Sequence, residues 1–166
     1  MNRTQLDETI WELHVPLLRL AMSILRHPQN AEDAVSQAVI TAYAKMDTLR
    51  QDSAAKAWLM KITARCCYDQ LRKRKREVLA AEPELGASPF EEPLEGSLFS
   101  LLQRLPQGQA QVLTLYYYEG FSIAETASVL GLTQATVSMR LSRGRKRLKE
   151  WLMEEESEVE ADACRG

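Results

Sequence analysis

The 166 residues are 45% apolar and 27% charged, close to the averages of soluble proteins, which excludes global disorder. The formal net charge is −2, from 21 basic and 23 acidic side chains. Taken as a sum, that argues against a nucleic-acid binder, which ordinarily carries excess positive charge. No apolar run approaches the roughly 18–20 residues of a bilayer span, and the polar start MNRTQLDETI shows no secretory signal. The three cysteines, Cys66, Cys67 and Cys164, are too few and too odd for a disulfide framework, so a reducing cytoplasm is the expected compartment. His14 and His27 share no ligand spacing with them, and no metal, cofactor or small-molecule substrate is expected.

The first half reads as helix. Leu13, Leu17, Leu18, Leu20, Ile24 and Leu25 recur at helical spacing, and His27-Pro28-Gln29-Asn30 ends the run. Asn30 is the expected N-cap of a second helix, with Glu32 and Asp33 in its first turn. The apolar face of that helix is Ala31, Ala34, Val35, Ala38, Val39 and Ala42. Asp52 or Ser53 starts a third helix carrying Ala57, Trp58, Met60, Ile62 and Leu71. It ends in a basic block: Lys61, Arg65, Arg72, Lys73, Arg74, Lys75 and Arg76 stand against one acid, Asp69. With Tyr68 and Trp58 beside them, these cations suit single strands or unstacked bases. A helix end complementing its own dipole needs one or two charges rather than five in a row.

Residues 77–97 hold six glutamates, three prolines and no basic residue, the composition of an extended, solvated linker. Beyond it, Leu98 to Leu105 form a short amphipathic run that stops at Pro106, and Gln109 to Tyr118 form another. Ser122 and Glu125 have capping-box spacing, Gly131 supplies a left-handed helix end, and Thr133 caps a last helix expected to reach about Met153. Helix, glycine turn and longer helix make a helix-turn-helix. Val137 and Leu141 should face inward; Gln134, Thr136, Ser138, Met139 and Arg140 fall where such a helix meets base edges. Arg140, Arg143, Arg145, Lys146, Arg147 and Lys149 follow, six cations in ten residues suited to phosphate oxygens. No catalytic triad, phosphate-cradling glycine loop or metal box is present, so no enzyme is expected.

At this point the chain resembles a bacterial sigma factor of the two-domain extracytoplasmic-function (ECF) type. The stretch NAEDAVSQAVITAYAKMDTLRQDSAAKAWLMKITARCCYDQLRKRKRE resembles sigma region two, and LPQGQAQVLTLYYYEGFSIAETASVLGLTQATVSMRLSRGRKRL resembles region four. The resemblance implies an all-α chain: a region-two helical domain over 1–76, the linker 77–97, a region-four helix-turn-helix domain over 98–153, and an acidic tail over 154–166. It implies that Asp33 to Tyr43 dock on core RNA polymerase, with Glu32, Asp33, Ser36, Gln37, Ile40 and Tyr43 the contact residues. It implies that Lys61, Arg65, Tyr68, Asp69, Arg72, Lys73, Arg74 and Arg76 lie near the melted −10 promoter element. Gln134, Thr136, Ser138, Met139, Arg140, Arg143, Arg145 and Lys146 would then read the −35 element as duplex. An anti-sigma factor is a further candidate partner. The chain departs from the family where Ser36-Gln37 and Val39 stand in place of Gln-Glu and Phe, and at Ala55 and Arg65. The residues alone leave two rivals: a conventional helix-turn-helix regulator, and a degenerate sigma-like interaction module. The near-neutral total conceals segregation. Windows 61–76 and 140–149 hold 13 of the 21 cations, while 77–95 and 150–162 hold 13 of the 23 acids. Screening over about 8–10 Å lets each local patch act on its own. The seven acids of 150–162 are expected either to stay solvated or to fold back on a basic block.

Overall fold

The computed structural model describes residues 1–80 and 98–165, and among these every regular element is helical. Helix α1 (Arg3–Leu25) begins ahead of the apolar run. Its start is set by Asn2, whose Oδ1 accepts from the Gln5 backbone N–H at 2.9 Å while Gln5 Oε1 accepts from the Asn2 N–H at 2.8 Å. This reciprocal cap satisfies two donors that a helix start otherwise leaves orphaned. Arg26, left-handed at φ 55°, closes the helix by donating its N–H to Met22.

Helix α2 (Pro28–Lys45) corrects the expected cap. His27 is its N-cap, and Pro28 takes the first helical position, where a fixed φ is favourable and a missing N–H costs nothing. Asn30 is therefore a buried helical residue, and Glu32 and Asp33 lie beyond the first turn. The small face of α2 (Ala31, Ala34, Ala38, Ala42) lets the larger Leu6, Leu17, Leu20 and Ile24 of α1 and Leu59, Met60 and Ile62 of the next helix pack close around it. That helix, α3 (Ala55–Ala80), follows short 3₁₀ turns at Met46–Thr48 and Asp52–Ala54. It continues to Ala80, four residues into the expected linker. Val78, Leu79 and Ala80 are followed by no glycine or proline until Pro83, so nothing local stops it. The remainder of the expected linker, 81–97, lies outside the described residues.

The second half comprises α4 (Leu98–Gln103), α5 (Gln107–Leu113), α6 (Ile123–Leu130) and α7 (Gln134–Arg165). Between α5 and α6, Thr114–Tyr118 widen into a π turn, with the Glu119 N–H reaching Thr114 O at 3.3 Å. The helix-turn-helix punctuation is as the sequence implied. Ser122 Oγ accepts from the Glu125 N–H at 3.1 Å, Gly131 has φ 67°, and Thr133 Oγ1 accepts from the Thr136 N–H at 3.2 Å. The Glu125 carboxylate returns only to the Ser122 hydroxyl, at 3.3 Å. Val137 and Leu141 are buried against Leu113, Leu115, Ala127 and Leu130. Gly144 explains how closely α7 lies on α5: a Cβ there would stand 2.6 Å from Leu113 Cδ1.

Helix α7 does not end near Met153. It runs on through EEESEVEADA to Arg165, because glutamate and alanine favour helix and no glycine or proline interrupts before Gly166. The acidic segment is thus neither solvated coil nor a flap folded back on a basic block. The two halves share one apolar core. Helix α6 packs on α3, and α5 and the π turn pack on α1.

Candidate nucleic-acid interface

Two cationic surfaces arise from the long helices. On α3, Trp58, Lys61, Arg65, Tyr68, Arg72 and Arg76 recur three or four residues apart, a spacing that lines one helix face. Arg65 and Arg72 to Arg76 are exposed, with Arg72 paired to Asp69. Lys61 and Tyr68 are half-buried. The Tyr68 hydroxyl donates to Gln111 Oε1 at 2.6 Å, and burial pushes its ionisation up to about 12. The expected −10 residues therefore share a helix, but only its C-terminal half is open.

On α7, Gln134, Ser138, Met139, Arg143 and Lys146 are exposed. Met139, Ser142, Arg143 and Lys146 form the side opposite the buried Val137, Leu141 and Gly144. Three expected contacts are differently engaged. The Thr136 hydroxyl bonds Thr133, within the cap. The Arg140 guanidinium lies over Gly108, where an added Cβ would come within 2.9 Å of it. The Arg145 guanidinium, though exposed, is 5.2 Å from the Tyr116 ring centre and 5.6 Å from that of Tyr117, a cation–π arrangement. Periodicity places residues on faces; it does not reveal which long cations are captured by neighbours.

A third surface lies on α1 and α2. Glu32, Asp33, Ser36, Gln37 and Ile40 are exposed as expected. Tyr43 is instead tied to α1: its hydroxyl donates to Asp7, a bond that raises its ionisation, and Arg3 lies 5.6 Å from its ring centre. The sequence reading missed the α1 half of this surface. Trp11 (84%), Val15 (60%) and Ile40 (63%) are exposed, and Ile40 lines a groove of about 470 Å³ with His14, Leu18, Glu32, Ser36 and Val39. Trp11, Val15 and Leu18 have i, i+4, i+7 spacing, a signal present in the sequence but identical to that of a buried stripe. The lining is mostly apolar, with one carboxylate, Glu32.

Cys66 and Cys67 serve none of these faces. Cys67 is buried and its thiol is pushed up to about 12 by desolvation. No group of three His, Cys, Asp or Glu side chains among the described residues could hold a metal, and no described helix is long and apolar enough to cross a membrane.

Comparison with known proteins gives the following. Residues 10–77 match the family model "Sigma-70 region 2", and residues 96–148 match "Sigma-70, region 4". The ECF RNA polymerase sigma factor SigM of Mycobacterium tuberculosis is 31% identical over 150 residues, 89% of this chain and 76% of that protein. The ECF RNA polymerase sigma factor EcfG of Rhodopseudomonas palustris is 32% identical over 141 residues, 81% of this chain and 78% of that one. Among solved structures, sigma factor RpoE in complex with anti-sigma factor NepR, from Bartonella quintana, superposes with a TM-score of 0.72 at 32% identity. That match covers 89% of this chain and 98% of RpoE.

Proposed function

The chain belongs to the sigma-70 family, of the ECF type, and from that premise we propose how its surfaces divide the work of promoter selection. The protein is a sigma factor that binds core RNA polymerase and directs it to promoters; it is not an enzyme. The exposed α7 face, with Gln134, Ser138 and Met139 toward base edges and Arg143 and Lys146 toward phosphates, takes the −35 element as duplex. The α3 stripe of Lys61, Arg65, Tyr68 and Arg72 takes the −10 element once it is single-stranded, Tyr68 stacking on a base and the arginines following the backbone. The groove between α1 and α2 receives a helix of core polymerase, with Ile40 of its lining and the exposed Trp11 and Val15 of α1 as apolar anchors. Ser36 and Val39, where the family often carries larger side chains, line this groove.

The observation that carries this division is the coexistence of two exposed cationic helix faces and one apolar groove on separate sides of one small chain. Its place of action is the cytoplasm, where polymerase and promoters meet. An anti-sigma factor is a further partner we propose, by likeness to RpoE with NepR. Reconstituted transcription tests the reading. Core polymerase with this protein should start transcripts at discrete promoters, and Trp11→Ala together with Ile40→Ala should abolish them. Full activity in that double variant would overturn the groove assignment.

A further inference from the structure

Helix α7 leaves its core behind long before it ends. Trp151 is its last apolar residue packed against that core, and the helix then runs on to Arg165, about 20 Å of bare helix at 1.5 Å per residue. The region 4 match ends at residue 148, so this extension lies beyond the part common to the family. A helical segment of that length is marginal by itself in water. This one also carries six acids between residues 154 and 162, toward the end where a helix dipole favours cations. The ion pairs among the described residues engage none of them. Both features call for a partner with an apolar strip and positive charge.

Such a surface exists on the chain itself. Leu98 and Leu102 of α4, Tyr117 of the π turn and Leu148 of α7 line a groove of about 410 Å³, together with the cations Arg145 and Lys149. Leu152 and Glu156 belong to this groove and also to a cavity of about 430 Å³ with Glu155, Val159 and Glu160. The two form one continuous trough along α7. Its apolar stripe, Leu148, Leu152, Val159 and Ala163, has i, i+4, i+11, i+15 spacing, which keeps to one side of a helix. Leu152 is 46% and Val159 69% exposed, so the described residues leave the stripe uncovered.

The charges along the trough have a two-fold pattern. Arg145 and Lys149 stand at one end and Glu156 and Glu160 at the other, equally spaced about a point between Leu152 and Met153. We propose that two copies of this protein pair through α7 in antiparallel fashion about that point, each laying its acidic extension in the trough of the other. Arg145 then lies opposite Glu160 of the second copy and Lys149 opposite its Glu156, and two-fold symmetry makes each pairing twice. The two Leu152 side chains meet at the centre, and Val159 of one copy falls within a helical turn of Leu148 in the other. A parallel pair would set carboxylate against carboxylate. A foreign basic helix would satisfy the acids but leave Arg145 and Lys149 facing like charge. A second copy satisfies both ends.

All four charged side chains are exposed, so their pairs fix direction and register while the apolar stripe supplies most of the attraction. The contact spans about 24 Å of helix, less than a standard interface, which sets a weak dissociation constant on the order of 10 µM.

The test uses the full-length protein in sedimentation equilibrium. Arg145→Glu with Lys149→Glu makes the trough acidic throughout, and Glu156→Lys with Glu160→Lys makes it basic throughout. Wild type should dimerise, and each variant alone should pair on the order of tenfold more weakly. An equimolar mixture of the two variants should form a heterodimer as strong as the wild-type pair, because every acid again faces a cation. A spin label on the exposed Cys164 should report about 35 Å between copies, since each lies about 17 Å along α7 from the axis. A parallel pair would bring the labels within about 20 Å. A wild type still monomeric at about 200 µM overturns the pairing and leaves the trough to another occupant. Variants that dimerise like wild type, a mixture that does not recover, or the short label distance would each overturn the antiparallel arrangement.

Discussion

The geometry of α7 makes a quantitative prediction about salt. Six cations lie between residues 140 and 149, and the structure engages two of them with neighbours. Arg140 lies half-buried over Gly108, and Arg145, though exposed, lies over two tyrosine rings. Arg143, Lys146, Arg147 and Lys149 are exposed. Each phosphate contact on duplex DNA releases counterions and steepens the plot of log affinity against log salt by about 0.9. The double variant Arg143→Ala with Lys146→Ala should therefore flatten that slope by about 1.8. Over a fourfold rise in salt, wild type then loses about 12-fold more affinity than the variant. Arg140→Ala, engaged elsewhere, should leave the slope nearly unchanged. Fluorescence anisotropy of the full-length protein on a labelled duplex, titrated at several salt concentrations, reads both. A double variant that weakens binding with an unaltered slope, or an Arg140→Ala variant that flattens it equally, would refute the assignment of free and captured cations.

Three other outcomes are expected. Gly131→Ala places a Cβ in open space but on a left-handed backbone, so it should cost about 1–2 kcal/mol of stability in denaturant unfolding; no loss would show that the turn relaxes. Trp11→Ala and Ile40→Ala should each weaken binding to core polymerase about 5- to 30-fold without moving the unfolding midpoint, because both side chains are already exposed. The Cys67 thiol, pushed from 9.0 up to about 12, keeps its proton in the folded state after the unfolded chain has lost it. Its contribution is therefore complete below about pH 9 and declines as pH rises toward 12, at up to about 1.4 kcal/mol per unit. Stability measured between pH 9 and 10 should fall less steeply in Cys67→Ala; parallel slopes would contradict the burial argument.

Local chemistry determined much of this protein. The Ser122 and Thr133 caps, Gly131, and the inward Val137 and Leu141 are set by interactions spanning four residues or fewer, and those were readable in the chain. Charge segregation was equally legible, since it is a property of order alone. Where two local signals competed, the reading erred. Asn30 looked like a cap, but proline at a first helical position had the stronger preference. Residues 77–80 and 154–165 looked like spacer and tail by charge, yet helix propensity with no breaker carried α3 and α7 through them.

Only the tertiary structure decided which groups are free to act. Tyr68, Arg140 and Arg145 read as surface residues, and each is engaged by a partner distant in sequence or on a neighbouring helix. Trp11 and Val15 share the spacing of a buried stripe and are exposed. Glu119 carried no sequence signal at all, because the cations beside its buried carboxylate are Arg19, 100 residues earlier, and Lys56, 63 residues earlier. Periodicity reports which side of a helix is apolar. Whether that side meets its own core, the other domain or nothing depends on how the helices are stacked, and no window of sequence contains that.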